Sequence, residues 1–503
     1  MMFRDKGWFN VRLALLLWGT FVALLFPHLT EATNTAGPPF HHTAHPSALQ
    51  KPVPEQTSPP VRHKQWLAFV VDHPSRPQPP RSYPTKRGLY ATGRADPDGA
   101  EQAWLSRFAI VESGDLWDSP GPAQRELMRR GVRVLGYDWM PAMYHYLDGS
   151  PDPPLAAWLY RNRDWASLNP QGPFPHCEEE GYDWCEDYYF DYGHSRVRNR
   201  KARAVAGALE KYSGVFFDWA PGVFIEEDVY APLQQTFARR HPDLTYQEAV
   251  GHFYQTLRAR VGDGLVVTNQ GFRNAENVLP HVDWDITESY ATTDMYLGRR
   301  LNVLGRGRVD VPDTIYFPVS ADFRRGSLSD TLEWLHYLDR VGRAYGGPRF
   351  QGFIYLNYAA PSFVPVGNGL WRAEVPKNAI LYGYAVPRLL GYTAYTEVPF
   401  DHTLERFPVY QADLGRPLGT RYEKQGGAYV RFYQNGLVLV GHFPGPVRVR
   451  ISSPWLRKGW LYDFYTGKWI RAETGSLTVD LIPESDPVTG RTAPVGRVWV
   501  YGR

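Results

Sequence analysis

The chain has 503 residues, too many for one compact core and enough for two or three domains of ~150 residues each. Hydrophobic residues at 43% and charged residues at 21% exclude wholesale disorder, and 55 basic against 52 acidic residues exclude the concentrated basic excess of a nucleic-acid binder. Aromatic residues reach 15%, with 17 Trp and 32 Tyr, a content that favours surfaces made for stacking on a flat apolar face such as that of a pyranose.

At the N-terminus, Arg4, Lys6 and Arg12 precede an apolar run over 13–26 that stops at Pro27. It is short for ~30 Å of hydrocarbon and fits the core of a secretory signal, with small residues around Thr30 and Ala32 for cleavage. Residues 1–32 are therefore expected to be a signal peptide, a retained anchor being the alternative and the one route to a membrane. The exported product would be secreted, periplasmic or held at the cell surface. Residues 33–64, rich in Pro, Thr, Ser and His, read as an extended linker. His41, His42 and His45 within it are solvated rather than metal-binding, and neither a metal nor another cofactor is expected. The chain has two cysteines, Cys177 and Cys185, an even pair expected to form one disulfide in an exported protein.

Short apolar runs over 67–71, 108–111, 132–137, 214–217, 265–268, 285–287, 314–319 and 352–356 read as parallel strands buried on both faces. Helical stripes alternate with them. Val197, Ala204, Val205, Ala208, Leu209 and Tyr212 share one face, as do Tyr246, Ala249, Val250, Phe253, Tyr254, Leu257 and Val261, and then Leu328, Leu332, Leu335 and Leu338. Eight strands alternating with helices predict an α/β fold, a (β/α)8 TIM barrel over 65–391, with a long loop at 141–194 after the third strand. A doubly wound sheet is disfavoured because no Gly-rich phosphate loop follows an early strand. Beyond Gly391 helical patterns vanish. Gln434-Asn435-Gly436 between 429–433 and 437–440 predicts a hairpin on a type I′ turn, and 392–503 reads as an antiparallel β-sandwich domain.

A barrel carries its site at the C-terminal strand ends. Those ends hold Glu112 with Asp115, Asp138 with Trp139, Asp218 with Trp219, Asn269 with Gln270, Glu288 with Tyr290, Asp322, and Asn357 with Tyr358. Carboxylates, amides and rings at nearly every end describe a cleft for a polyhydroxylated ligand. Asp218 and Glu288 follow the fourth and sixth strands and suit glycoside hydrolysis, in which one carboxyl protonates the leaving oxygen and another stabilises or attacks the anomeric carbon. The bland alternative is a local cap and a salt bridge. Asn269, Gln270 and Asn274 offer amides to hydroxyl groups, Asp138 and Asp322 suit a cationic amino sugar, and Trp139, Tyr144, Trp184, Trp219 and Tyr290 offer stacking faces. Asp183, Glu186, Asp187 and Asp191 form an acidic stretch at the expected rim.

The segments YSGVFFDWAPG, LVVTNQGF and VDWDITESY resemble, over about residues 130–295, the endo-α-1,4-polygalactosaminidase-like glycoside hydrolases and their barrel relatives. The resemblance implies a barrel fold and a catalytic pair at Asp218 and Glu288. This chain departs from the pattern with Asp-Trp-Ala-Pro where relatives often carry a second acid, with a larger preceding loop and with an added C-terminal β domain. The expectation is an exported glycoside hydrolase acting on a polysaccharide, amino-sugar polymers included. A non-catalytic carbohydrate-binding barrel and a transglycosylase of exopolysaccharide assembly are the alternatives.

Overall fold

Short apolar runs without alternation form strands only where both faces are covered, and the main sheet is built from such runs. The computed structural model describes residues 88–93, 97, 99–143, 154–171, 188–222, 230–288, 297–301, 315–319, 328–358, 362–367, 370–374, 377–397, 408–483, 492 and 494–502. All of these belong to one unit, Ala68–Arg503. The expected signal peptide and linker, the strand at 67–71, Cys177, Cys185, Tyr144, Trp184, Tyr290 and Asp322 lie outside the described residues, as do Asp183, Glu186 and Asp187. For Glu288, Asn357 and Tyr358 the described part is the strand backbone.

The main sheet consists of β1 (Gly88–Gly93), β2 (Phe108–Asp115), β3 (Arg133–Trp139), β4 (Gly214–Asp218), β5 (Leu265–Asn269), β6 (Trp284–Glu288), β7 (Phe353–Tyr358) and β8 (Thr393–Glu397). They pair in sequential order and in parallel throughout. The two outer strands, β1 and β8, approach within 8 Å between Cα atoms. Helices α1 (Gly99–Leu105), α2 (Pro122–Arg129), α3 (Ser195–Ala208), α4 (Tyr246–Val261), α5 (Leu328–Tyr345) and α6 (Lys377–Arg388) fall in the connections. The connection from β5 to β6 is instead made by short turns of helix between Gly271 and His281. Thr245 and Glu248 begin α4 with a reciprocal cap, Glu248 N to Thr245 Oγ1 at 3.2 Å and Thr245 N to Glu248 Oε2 at 2.8 Å.

Three strand assignments change, the first being β1 itself, since Gly88–Gly93 lies in none of the expected runs. The 314–319 run does form a strand, Ile315–Val319, but pairs antiparallel with Leu297–Leu301 in a separate hairpin. Its expected place beside β6 falls to Phe353–Tyr358, and the eighth strand is Thr393–Glu397, which the composition shift at Gly391 assigned to the C-terminal domain. A half-polar strand of five residues carries too little apolar signal to be told from an edge strand, whereas its pairing with β7 is unambiguous.

The C-terminal part holds β9 (Glu423–Gln425), β10 (Ala428–Tyr433), β11 (Gly436–Gly441), β12 (Val447–Ser452), β13 (Gly459–Asp463), β14 (Lys468–Ala472), β15 (Ser476–Leu481) and β16 (Val495–Tyr501). Its antiparallel sheet runs β9-β10-β11-β16-β13-β14, and β12 pairs with β15. The predicted hairpin joins β10 to β11, with Tyr433 opposite Gly436. Its turn is not type I′, since the two residues between that pair, Gln434 and Asn435, both lack the positive φ such a turn requires. Gly436 is needed for a different reason: a Cβ there would lie 2.1 Å from Trp499 O.

The β domain is not separate. Every residue of β11 is buried because the strand serves two cores. Leu437, Leu439 and Trp499 pack with residues of β12 and β15, while Val438, Val440, Val498 and Val500 join the core of the parallel unit. Gly496 lets α6 seat on β16, where an added Cβ would fall 2.1 Å from Tyr382 N. Arg497, 1% exposed, donates to Asn378 of α6, to Ile482 O at 3.2 Å and to Gly496 O at 2.7 Å, and stacks on Tyr465.

Candidate functional site

Register decides which strand-end side chains share a face. Tyr137 and Trp139 of β3 stand beside Phe216 and Asp218 of β4, and Phe216 pairs with Val267 of β5, so Asn269 follows on that face. Asn269 in turn lies opposite Ile286 of β6, two positions before Glu288. Alternation assigns this face Asp115, Tyr137, Trp139, Asp218, Asn269 and position 288, and assigns the opposite face Asp138, Thr268 and Asp285.

Asp218 is half-buried and held on both oxygens. Tyr137 Oη donates to Oδ2 at 2.9 Å, while Asn269 Nδ2 and Trp219 N donate to Oδ1, each at 2.9 Å. Rings of Trp139, Tyr189, Trp219 and Tyr230 form a wall beside it. Trp139 meets Trp219 edge to face at 6.4 Å between centroids, and Tyr230 meets Trp219 at 5.7 Å. Trp219 (φ 51) and Gln270 (φ 62) are the positive-φ non-glycine residues among those described. They directly follow Asp218 and Asn269 on adjacent strands. Strained backbone of this kind persists only where the surroundings over-determine it. Asp115, at the end of β2 opposite Tyr137, has its carboxyl pushed up to about 6 by burial, with Asp138 and Asp118 adding and the Trp117 N–H opposing.

Other expected site residues have different surroundings. Asp138 is 2% exposed on the opposite face, where it pairs with Lys201 Nζ at 2.9 Å and accepts Trp117 Nε1 at 3.0 Å. It is not open to a sugar, because Trp139, one residue on, takes the site-facing position. Burial drives the Asp138 carboxyl up and the Lys201 ammonium down, each opposed by the other's charge. Asn274 is buried, its amide donating to Gln247 O at 3.2 Å and accepting from Asn277 Nδ2 at 2.8 Å. Gln270 donates its N–H to Ile286 O at 2.8 Å, and its side chain is half-buried. Position 357 shares the face of Phe353 and Tyr355, and position 358 that of Ile354 and Leu356, which pair with Ile286 and Glu288.

Sequence reasoning passed over Tyr137, Lys201 and Asp285. Lys201 sits midway along the Val197–Lys201–Val205 stripe of α3, a cation at the centre of an apolar face, and that interruption was the available signal. Asp285, fully buried, accepts Thr268 Oγ1 (2.7 Å) and Gly271 N (2.8 Å) on Oδ1 and Phe272 N (2.9 Å) on Oδ2. Burial pushes its carboxyl up to about 7 against those donors.

Asp191, His194 and His241 bring potential ligand atoms within 4.8 Å of one another. The buried carboxylate is already occupied, with Arg240 Nη1 3.0 Å from Oδ2 and both His241 Nε2 (2.8 Å) and Gly193 N (3.1 Å) on Oδ1. Burial holds the His194 imidazole below its ordinary value against the pull of Asp191, and His241, Arg240 and Arg198 add to the lowering. This is an ion-pair cluster rather than an open metal cradle.

No protein-family model and no curated protein matches the chain. Among solved structures, it is similar to the glycoside hydrolase domain of PelA from Pseudomonas aeruginosa, at 16% identity over 62% of this chain and 94% of that one, with a TM-score of 0.36. It is also similar to the maltogenic α-amylase AmyB from Thermotoga neapolitana (10% identity, 83% and 99% covered, TM-score 0.41) and to an α-amylase from Malbranchea cinnamomea (10%, 83% and 96%, 0.41).

Proposed function

We propose that the protein is an exported glycoside hydrolase that cleaves a polysaccharide, amino-sugar polymers included, on a (β/α)8 barrel. The observation that carries this reading is Asp218: a strand-end carboxylate with Tyr137, Asn269 and the Trp219 N–H on its oxygens and an indole wall beside it. Sequential parallel order and the approach of β1 to β8 support the closed barrel. Donors on both oxygens suit the carboxylate that stabilises or attacks the anomeric carbon. Glu288, two strands away at the same end of the sheet, is the proposed acid/base that protonates the leaving oxygen and then activates water. Trp139 and Trp219 are the proposed platforms for a sugar face.

Release of reducing ends, measured across bacterial and fungal polysaccharides, tests the reading. Asp218→Asn and Glu288→Gln should each lower the rate by about two orders of magnitude or more. No release from any glycan that the protein binds would leave a binding protein instead, and products made of glycan joined to glycan would make it a transglycosylase. The expected Cys177–Cys185 disulfide belongs to the same proposal: thiol titration of the denatured, unreduced protein should find no free thiol.

A further inference from the structure

Lys201 lies behind the site, on the far face of the sheet, with no exposed surface. Its ammonium reaches Asp138 Oδ2 at 2.9 Å and Met140 O at 2.7 Å. Asp138 and Met140 are the residues on either side of Trp139, so one cation fastens both neighbours of a site-facing indole. The Met140 carbonyl takes a second donor, Tyr192 Oη at 2.6 Å, and the Met140 N–H donates to Asp218 O at 3.1 Å. Phe190, at 4.6 Å, with Phe217 and Phe253 further off, surrounds the ammonium with ring faces and keeps water from replacing either contact. A buried pair of this kind is expensive to desolvate, and an apolar pair of similar volume would hold the core as well or better. Its geometry explains what the charges add: direction.

We infer that Lys201 is a positioning residue that clamps the end of β3 against the end of β4, fixing Trp139 and the Asp218 main chain for the hydrolysis proposed above, on which its catalytic consequence rests. The clamp acts through Asp138, Met140 and Tyr192 and touches no substrate. Small displacements of a reacting group carry large rate effects, about a hundredfold for ~1 Å, so the expected signature lies in kcat more than in KM.

The test compares wild type, Lys201→Met, the double variant Asp138→Asn/Lys201→Met and Tyr192→Phe, all as full chains. Lys201→Met alone strands a buried carboxylate and should melt early. The double variant removes both charges, and its melting temperature should return close to that of wild type. On the inference, kcat of the double variant nevertheless stays down about tenfold or more while KM moves less than about threefold, and Tyr192→Phe lowers kcat in the same direction without altering any charge. Recovery of kcat along with stability in the double variant, together with a silent Tyr192→Phe, would overturn the inference. A second readout needs no activity. The near-ultraviolet circular dichroism contributed by Trp139, taken as wild type minus Trp139→Phe, should be lost in the double variant. Its retention would refute the clamp even where wild type cleaves no glycan, which would sink the hydrolase reading separately.

Discussion

Asp285 makes a quantitative prediction about stability. Its carboxyl moves from an ordinary 3.8 to about 7 in the folded chain, because burial outweighs donation from Gly271 N, Phe272 N and Thr268 Oγ1. Below about pH 4 the group is protonated in both folded and unfolded chains and contributes no pH dependence. Between about pH 4 and about pH 7 the unfolded chain releases this proton while the folded chain keeps it, so stability falls as pH rises, by ~1.4 kcal/mol per pH unit. The whole descent is about 4 kcal/mol, complete once the folded group has ionised.

Asp285→Asn removes that titration and adds a local cost. An amide oxygen still serves Gly271 N and Thr268 Oγ1, which share Oδ1, but an amide nitrogen then faces the Phe272 N–H that Oδ2 accepts. That mismatch costs about 1–3 kcal/mol at any pH. The variant should therefore be less stable than wild type near pH 4 and equal or more stable above pH ~7, with the two curves crossing. Urea unfolding at stepped pH gives both curves. Parallel curves with a constant offset between pH ~4 and ~7 would show that Asp285 folds ionised, and would refute the reasoning.

Other perturbations follow from single contacts. Tyr137→Phe removes the donor to Asp218 Oδ2 and should lower kcat/KM about tenfold with little change in unfolding midpoint, measured by the reducing-end assay and a urea titration. Trp219→Gly relieves a positive φ that costs about 1–3 kcal/mol but deletes a ring of the wall; thermal stability should hold while glycan affinity, read by calorimetry, falls about tenfold. Gly496→Ala forces a Cβ to 2.1 Å from Tyr382 N and should unseat α6 from β16, lowering the urea midpoint and exposing the α6 region to limited proteolysis.

The parallel strands from β2 to β7 were readable because each is a short apolar run, and the strand ends of β4 and β5 were readable because a polar residue follows such a run directly. Face assignment was harder. Asp138 and Trp139 are neighbours, so only one can look into the site, and composition does not say which; that Trp139 does follows from register with Asp218. Lys201 was legible only as an interruption, a charged position inside the Val197–Val205 stripe of α3 that a reading for apolar residues passes over. Asp285 was hidden between Trp284 and Ile286, where an acid reads as an exposed break in a strand rather than as the acceptor of two later N–H groups. β8 was lost to a boundary drawn where helices cease, one strand too early.

The two faces of the sheet divide their work. Toward the inferred site stand Tyr137, Trp139, Asp218 and Asn269, each at a strand end and two of them followed by a left-handed residue. Behind them stand buried ionisable groups that hold backbone: Lys201 and Asp138 pin the residues flanking Trp139, and Asp285 pins Gly271 and Phe272 just beyond Gln270. A fold selected for stability alone would fill those positions with apolar side chains, since desolvating a carboxylate there costs more than packing a Leu. Polar clamps persist where direction matters more than burial, because a hydrogen bond fixes a carbonyl or an N–H in a way that dispersion contacts do not. Apolar replacements at Asp138 with Lys201 should thus keep or raise stability while loosening the strand ends that they support, and stability gained at the expense of the site is the mark of a clamp that exists for chemistry rather than for folding.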